Sequence, residues 1–204
     1  MELDVINTYL GGHSVTICGF KKLLRGNGET IVCEIGCGGG DNLIAIKKWC
    51  HKKKINACFT GVDINPGCIA FAEEKDPDLT LIVSDFRSVQ FGSNPPHIIF
   101  SSLFCHHFTN EELVDMLLWM RKNSLTGFFI NDLHRHPVAY FLIKLVTRLF
   151  SRSHFIKNDA PLSVAKGFTK NEWKKILQKA GITKYTIQWK WAFRYLIVVH
   201  NERQ

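Results

Sequence analysis

The densest cluster of chemistry-bearing residues in the chain is Glu34-x-Gly36-x-Gly38-x-Gly40, with Gly39 adding a fourth glycine in five positions. Glycines so spaced let the backbone turn tightly and approach a ligand closely. A dinucleotide fingerprint needs G-x-G-x-x-G, but Asp41 stands where the third glycine belongs. The carboxylate ahead of the glycines repels a pyrophosphate and suits a cationic or amine-bearing ligand. Further along, Asp63 is placed to accept both hydroxyls of a ribose. Asp85 can accept from the exocyclic amine of adenine, with the backbone N–H of Phe86 donating beside it. Histidines supply the candidate bases. His134 and His136 stand beside Asp132, which would orient an imidazole, and His106, His107 and His13 lie elsewhere. His134 ranks first, ahead of His107 and His13, although a lone histidine in such a place is more often structural. The spacings match no metal-site signature, and no metal is expected.

These residues need elements to carry them. Apolar runs at 30–35, 57–62, 79–84, 97–102 and 125–131 read as strands, and Glu34, Asp63, Asp85 and Asp132 fall at or just past their ends. Between them, Asp41 or Asn42 caps a helix to about residue 53, and Pro66 opens another to about 74. Thr109-Asn110-Glu111-Glu112 is a capping box for a third helix, ending near 122. Strict alternation of strand and helix argues for a parallel sheet with helices on both faces, whose ligands bind beyond the carboxyl ends of the strands. Then follow an apolar helix over 137–150, a loop over 151–168 and a helix over 170–180. Two β-rich runs, 183–191 and 194–200, are separated by only Ala192-Phe193 and predict an antiparallel hairpin. A helical arm over 1–26, interrupted at Gly11-Gly12-His13, precedes the first strand. The fold class is α/β: a three-layer, Rossmann-like sandwich around a mostly parallel seven-stranded sheet.

The chain's 204 residues suit one domain, 1–204, with 133–168 as a substrate-side insertion. Its charge of +8 owes much to the run from Lys47 to Lys54. Such a run can attract nucleic acid, but no aromatic stacking pattern accompanies it, and the basic end of a solvated helix is the simpler account. Seven cysteines without any CxxC spacing suggest free thiols in a reducing compartment. The acidic N-terminus lacks the signature of a signal peptide, and 138–150 is too short to span a bilayer. A cytoplasmic location is expected.

The glycine stretch Glu34-Ile35-Gly36-Cys37-Gly38-Gly39-Gly40, with Asp63, Asp85 and the segment from Ile99 to Phe108, resembles the motifs of class I S-adenosylmethionine-dependent methyltransferases, in order on four consecutive strands. The likeness covers roughly residues 28–132. It implies S-adenosylmethionine as cofactor, held around Glu34, Gly36, Cys37, Gly38, Gly40 and Asn42 at the first strand. Asp63 and Ile64, Asp85 and Phe86, and Ser101 and Ser102 would serve at the next three. It also implies in-line methyl transfer, in which the protein aligns the partners and in some cases removes a proton.

No Asn-Pro-Pro-Tyr-like run follows the fourth strand. Ser101-Ser102-Leu103-Phe104 stands there instead and resembles small-molecule methyltransferases. The last third is similar to bacterial methyltransferases of quinone-like and aromatic polyketide pathways, part of secondary metabolism. With the apolar helix 138–150, this favours a lipophilic aromatic acceptor and O-methylation over C-methylation. Lys144, Arg148 and Arg152 would fringe that helix at a membrane surface, which allows a peripheral membrane contact. A nucleic-acid methyltransferase and a non-catalytic S-adenosylmethionine-binding protein are the alternatives, with nucleic acid disfavoured by the missing motif.

Overall fold

The computed structural model of the chain describes residues 11–26, 28–151 and 153–201. A seven-stranded sheet runs in the order β3-β2-β1-β4-β5-β7-β6. Its strands are β1 Thr30–Ile35, β2 Ala57–Asp63, β3 Thr80–Val83, β4 Ile98–Ser102, β5 Gly127–Leu133, β6 Tyr185–Lys190 and β7 Arg194–His200. The first five are parallel. β7 enters antiparallel beside β5, pairing Gly127 with His200 through Leu133 with Arg194, and β6 completes the hairpin at the edge. The strand order reverses between β1 and β4, so the carboxyl ends of those two strands flank the crevice where such sheets bind ligands. The expected three-layer architecture is the one found.

The helices are α1 Gly12–Leu23, α2 Asp41–Lys53, α3 Pro66–Lys75, α4 Asn110–Asn123, α5 Pro137–Phe150, α6 His154–Lys166 and α7 Lys170–Lys179. Alternation along each central strand sorts the core into two clusters. Val32, Phe100, Phe129 and Leu196 meet Phe20, Leu43 and Ile46 of α1 and α2. Cys33, Ile99, Phe128 and Ile197 meet Leu113, Met116, Trp173 and Leu177 of α4 and α7. Every one of these side chains is buried.

Three sequence expectations need correcting. Residues 151–168 are not a loop, because Ser153 caps α6 by accepting from the N–H of Ile156, and the helix tolerates Pro161 inside it. The punctuation at 11–13 is not a break over all three residues. Gly11 takes a left-handed conformation (φ 72°), and α1 starts at Gly12 with His13 in its first turn. Neither Asp41 nor Asn42 caps α2. Gly40 occupies that position without a side-chain hydrogen bond, and Asn42 is used elsewhere. The expected helix over residues 3–10 lies outside the described residues.

α1 comes so close to the sheet that an alanine Cβ at Gly19 would sit 2.4 Å from the Phe129 ring. That ring is fully buried and stacked on Phe100 at 4.8 Å, so it has nowhere to go. Alanine in a helix gains about 1 kcal/mol over glycine, but overpacking of a closed core costs roughly 1–3 kcal/mol. Gly19→Ala is therefore expected to lower the unfolding free energy by up to about 2 kcal/mol. Urea unfolding checks this, and an unchanged or raised midpoint would show that the helix yields instead.

Candidate functional site

The turn after β1 is sewn to β2. The N–H groups of Gly36 and Cys37 both donate to the Val62 carbonyl, at 2.8 and 3.1 Å, and Gly40 N–H donates to the Cys37 carbonyl at 2.9 Å. Gly36, Gly38 and Gly40 all have left-handed backbones, with φ of 67°, 51° and 73°. Their surroundings separate their roles. A Cβ on Gly36 would strike the Phe104 ring at 2.3 Å, and one on Gly40 would press Ala72 and Leu79 at 3.3 Å. One on Gly38 would meet nothing within 4 Å. Gly38 is therefore the member of the three that faces open space.

Asp63, at the end of β2, is fixed from both sides. Its Oδ2 accepts from Gly38 N–H at 2.8 Å and its Oδ1 from Asn65 N–H at 2.9 Å. Each oxygen keeps a lone pair for a further donor. Cys37 is buried, and its sulfur fills the space over Gly61. Ile64 follows Asp63 with 72 % of its surface exposed, an apolar face beside that carboxylate.

Glu34 is completely buried. Its Oε1 accepts from Asn42 Nδ2 at 3.0 Å, while Oε2 has no partner. Burial, and behind it the Asp41 and Asp63 charges, pushes the carboxyl well above the usual range against the Asn42 hydrogen bond. From Asn42 the polar chain continues. Thr16 Oγ1 lies 3.2 Å from Asn42 Oδ1, and Asn131 Nδ2 reaches Thr16 Oγ1 and Ser102 Oγ, each at 3.1 Å, and the Gly12 carbonyl at 3.2 Å. Asn131 Oδ1 is buried without a partner. Asn131 Oδ1 is an acceptor, and Glu34 Oε2 becomes one when the carboxyl ionises, so a donor that carries positive charge would satisfy both and draw the proton off Glu34.

The ends of β4 and β5 carry a buried hydrogen-bonded pair of an aspartate and a histidine. Asp132 Oδ1 meets His106 Nδ1 at 2.9 Å, and its Oδ2 accepts from the His106 backbone N–H at 3.2 Å. Both side chains are almost fully enclosed. Burial opposes the Asp132 charge, but the hydrogen bond and charge of His106 outweigh it and hold the carboxyl below its ordinary value. Arg194, on the neighbouring strand β7, is buried as well. Burial brings its guanidinium down to about 10 while the Asp132 charge opposes the shift.

Asp132 therefore orients His106, not His134 as the sequence reading had it. Neighbouring parallel strands lie about 4.8 Å apart, whereas residues two apart on one strand are about 6.6 Å apart, so Asp132 meets the turn after β4 more closely than it meets His134. The adjacency of β4 and β5 was the signal that could have singled out His106. His134 instead joins an aromatic cluster, its ring 4.7 Å from Tyr195 and 5.4 Å from His136, which itself stacks on Phe193 at 5.1 Å. His134 Nδ1 is buried without a partner, and burial followed by the His136 charge lowers its pKa. His107 lies 4.4 Å from the His106 ring, and partial burial followed by the His106 charge lowers its pKa. His13 sits in the first turn of α1, whose Gly12 carbonyl is held at the end of β5.

Other expected contacts are engaged differently. Asp85 Oδ1 caps the turn at Phe86–Ser88 and pairs with Arg87 Nε at 3.1 Å. The Phe86 ring is core, edge-on to Trp119 at 5.3 Å, which leaves its backbone as the part available to a ligand. Ser101 is buried against Cys105 at 3.5 Å, and Ser102 belongs to the Asn131 network. Sequence reasoning missed the Phe104 ring lying on Gly36. The density of glycine signals close approach but does not name what approaches.

Residues 32–123 match the family model of a methyltransferase domain. Among solved structures, the plantazolicin methyltransferase BpumL in complex with SAH is 15 % identical, with a TM-score of 0.72 over 96 % of this chain and 86 % of that one. The magnesium protoporphyrin IX methyltransferase ChlM from Synechocystis PCC 6803, with bound SAH, is 13 % identical, with a TM-score of 0.62 over 95 % of this chain and 83 % of that one. No curated protein matches the chain. At such identities the likeness to solved structures establishes the fold.

The raised pKa of Glu34 has a thermodynamic consequence. The folded chain holds a proton that the unfolded chain releases. That contribution to stability is full below the unfolded value, about pH 4.3, and is lost as pH rises toward the folded value. Glu34→Gln keeps an acceptor for Asn42 and removes the charge. Urea unfolding at about pH 5 and about pH 8 should show the variant gaining on the native chain as pH rises. A gap that does not change with pH would mean that Glu34 ionises freely in the fold.

Proposed function

We propose that this chain, which carries a class I S-adenosylmethionine-dependent methyltransferase domain, transfers methyl to a hydroxyl of a lipophilic aromatic small molecule. Its own residues fit the cofactor. The space over Gly38 admits a ligand against the backbone, and the rigid Asp63 carboxylate suits two ribose hydroxyls. The orphaned oxygens of Glu34 and Asn131 call for a donor such as an ammonium group. Asp85 and the Phe86 backbone suit the adenine edge, beside the exposed face of Ile64. When bound, S-adenosylmethionine supplies an electrophilic methyl group on a positively charged sulfur.

The observation that carries the choice of acceptor is the His106–Asp132 pair at the ends of β4 and β5. With Nδ1–H donated to Asp132, the basic lone pair of His106 sits on Nε2, the tautomer needed to accept a hydroxyl proton. Asp132 acts as the positioning residue. The half-buried rings of His134, His136 and Phe193 offer flat surfaces on which an aromatic ring can stack. Residues 133–168 serve as the substrate-side segment in this reading. The similar structures are named for plantazolicin and for magnesium protoporphyrin IX, so acceptors within this fold vary widely.

The direct test is incubation with methyl-labelled S-adenosylmethionine and a panel of phenols and quinols. Label should appear on oxygen in at least one of them, and label found only in RNA or protein would sink the proposal. His106→Ala should lower kcat by about 10²–10⁴-fold, leave SAH affinity within about twofold, and regain part of its rate with added imidazole. A full-rate His106→Ala would remove His106 from the chemistry.

A further inference from the structure

α5 has a face that nothing in the described fold covers. Val138, Phe141, Leu142, Leu145 and Leu149 recur at helical spacing and lie on one stripe, ranging from 49 % exposed at Leu142 to 67 % at Phe141. The opposite side is anchored. Ala139 and Thr147 are buried, and the helix packs on α6. Exposed Lys144 and Arg148 border the stripe on one flank, and Pro137–Phe150 contains no acidic residue. Soluble surfaces rarely align five large apolar side chains with this exposure.

We propose that α5 docks the protein on an anionic lipid bilayer, lying in the plane of the surface with this stripe at the boundary between headgroups and acyl chains. The choice of occupant rests on charge and shape. The stripe is a convex ridge on one helix, it carries cations beside its apolar residues, and the chain as a whole has a charge of +8. A lone amphipathic helix with basic residues flanking leucine and phenylalanine is the form that binds such a boundary. At 14 residues it extends about 21 Å, and among the described residues no helix is long and apolar enough to cross a membrane. Contact with the surface is therefore peripheral.

Docking would also bring the reacting end of the sheet to the lipid. α6, which packs on α5, touches the turn Cys105–His107, and the charges of Lys166 and Asp159 on α6 act on His107. A lipophilic acceptor partitioned in the bilayer would thus be offered beside His106. The binding itself stands on α5 alone, while its service to catalysis rests on the acceptor reading above.

The test is co-sedimentation of the full chain with vesicles of phosphatidylglycerol and phosphatidylcholine, against phosphatidylcholine alone, without any acceptor. The bound fraction should be high on the anionic vesicles and fall with salt. It should drop by roughly tenfold in the double variant Phe141→Ser, Leu145→Ser, whose altered positions are exposed, and also fall in Lys144→Glu, Arg148→Glu. Unfolding midpoints near that of the native chain would confirm that the variants fold. Two results would overturn the proposal: no binding to anionic vesicles, or binding that the double variants leave intact. A self-association abolished by the serine variant, with no vesicle binding, would assign the stripe to a second copy. Because no methyl transfer is read, failure here leaves the acceptor proposal standing, and the reverse holds too.

Discussion

The geometry of the site depends on one buried chain of polar side chains: Glu34, Asn42, Thr16, Asn131 and Ser102. It ties β1, α2, α1, β5 and β4 together at the carboxyl end of the sheet. All five residues are buried, where an unmatched polar atom costs about 1–3 kcal/mol. The network therefore specifies one arrangement of the strand ends sharply, since a shift of any element would strand its neighbours' donors. Apolar packing alone would tolerate such a shift more cheaply. It is also why α1 belongs to the site. Its Thr16 hydroxyl and Gly12 carbonyl are structural partners of β5, and its first turn brings His13 to the same edge.

Two orphaned oxygens end this network, Glu34 Oε2 and Asn131 Oδ1, and the rest of the edge is laid out for charge as well. Asp63 holds its carboxylate with backbone donors, and Asp132 holds its own with His106. Acids gathered at the ends of parallel strands repel one another, which raises the Glu34 pKa further. A cationic ligand turns that repulsion into attraction. The edge is thus less comfortable without a cation than with one. Strain left in a fold at the place where a ligand would relieve it is evidence about the ligand's charge.

Much of this was legible in the sequence. Apolar and β-rich runs between turn residues identify all seven strands, and the glycine spacing with Asp63 and Asp85 marks the ligand side, because backbone conformation and charge placement are local properties of the chain. Side-chain partnership was not legible to the same degree. Asp132 is next but one to His134 in sequence, yet it pairs with His106, 26 residues away. That partnership is decided by which strands are neighbours in the sheet, a tertiary fact. Residues 151–168 misled for a different reason. Asn158-Asp159-Ala160-Pro161 has the composition of a turn, and it stays helical because packing against α5 outweighs local preference.

The ends of β4, β5 and β7 are held rigidly. Among the described residues, four that are not glycine have positive φ: Lys54, Leu103, Ala192 and Phe193. Lys54 ends α2 in the ordinary left-handed cap. The other three border the site. Leu103 follows β4 and precedes Phe104, whose ring covers Gly36, while Phe193 stacks on His136 at the turn between β6 and β7. A left-handed backbone costs an ordinary residue roughly 1–2 kcal/mol, so each must be held by its surroundings. Leu103 is held by its N–H bond to the Asn131 carbonyl at 2.9 Å, and Phe193 by accepting from His134 N–H at 2.8 Å. Both restraints come from β5 or the residue just beyond it, next to Asp132. The strand that positions His106 therefore also sets Phe104 and Phe193, so those two rings and the His106–Asp132 pair are held as one unit.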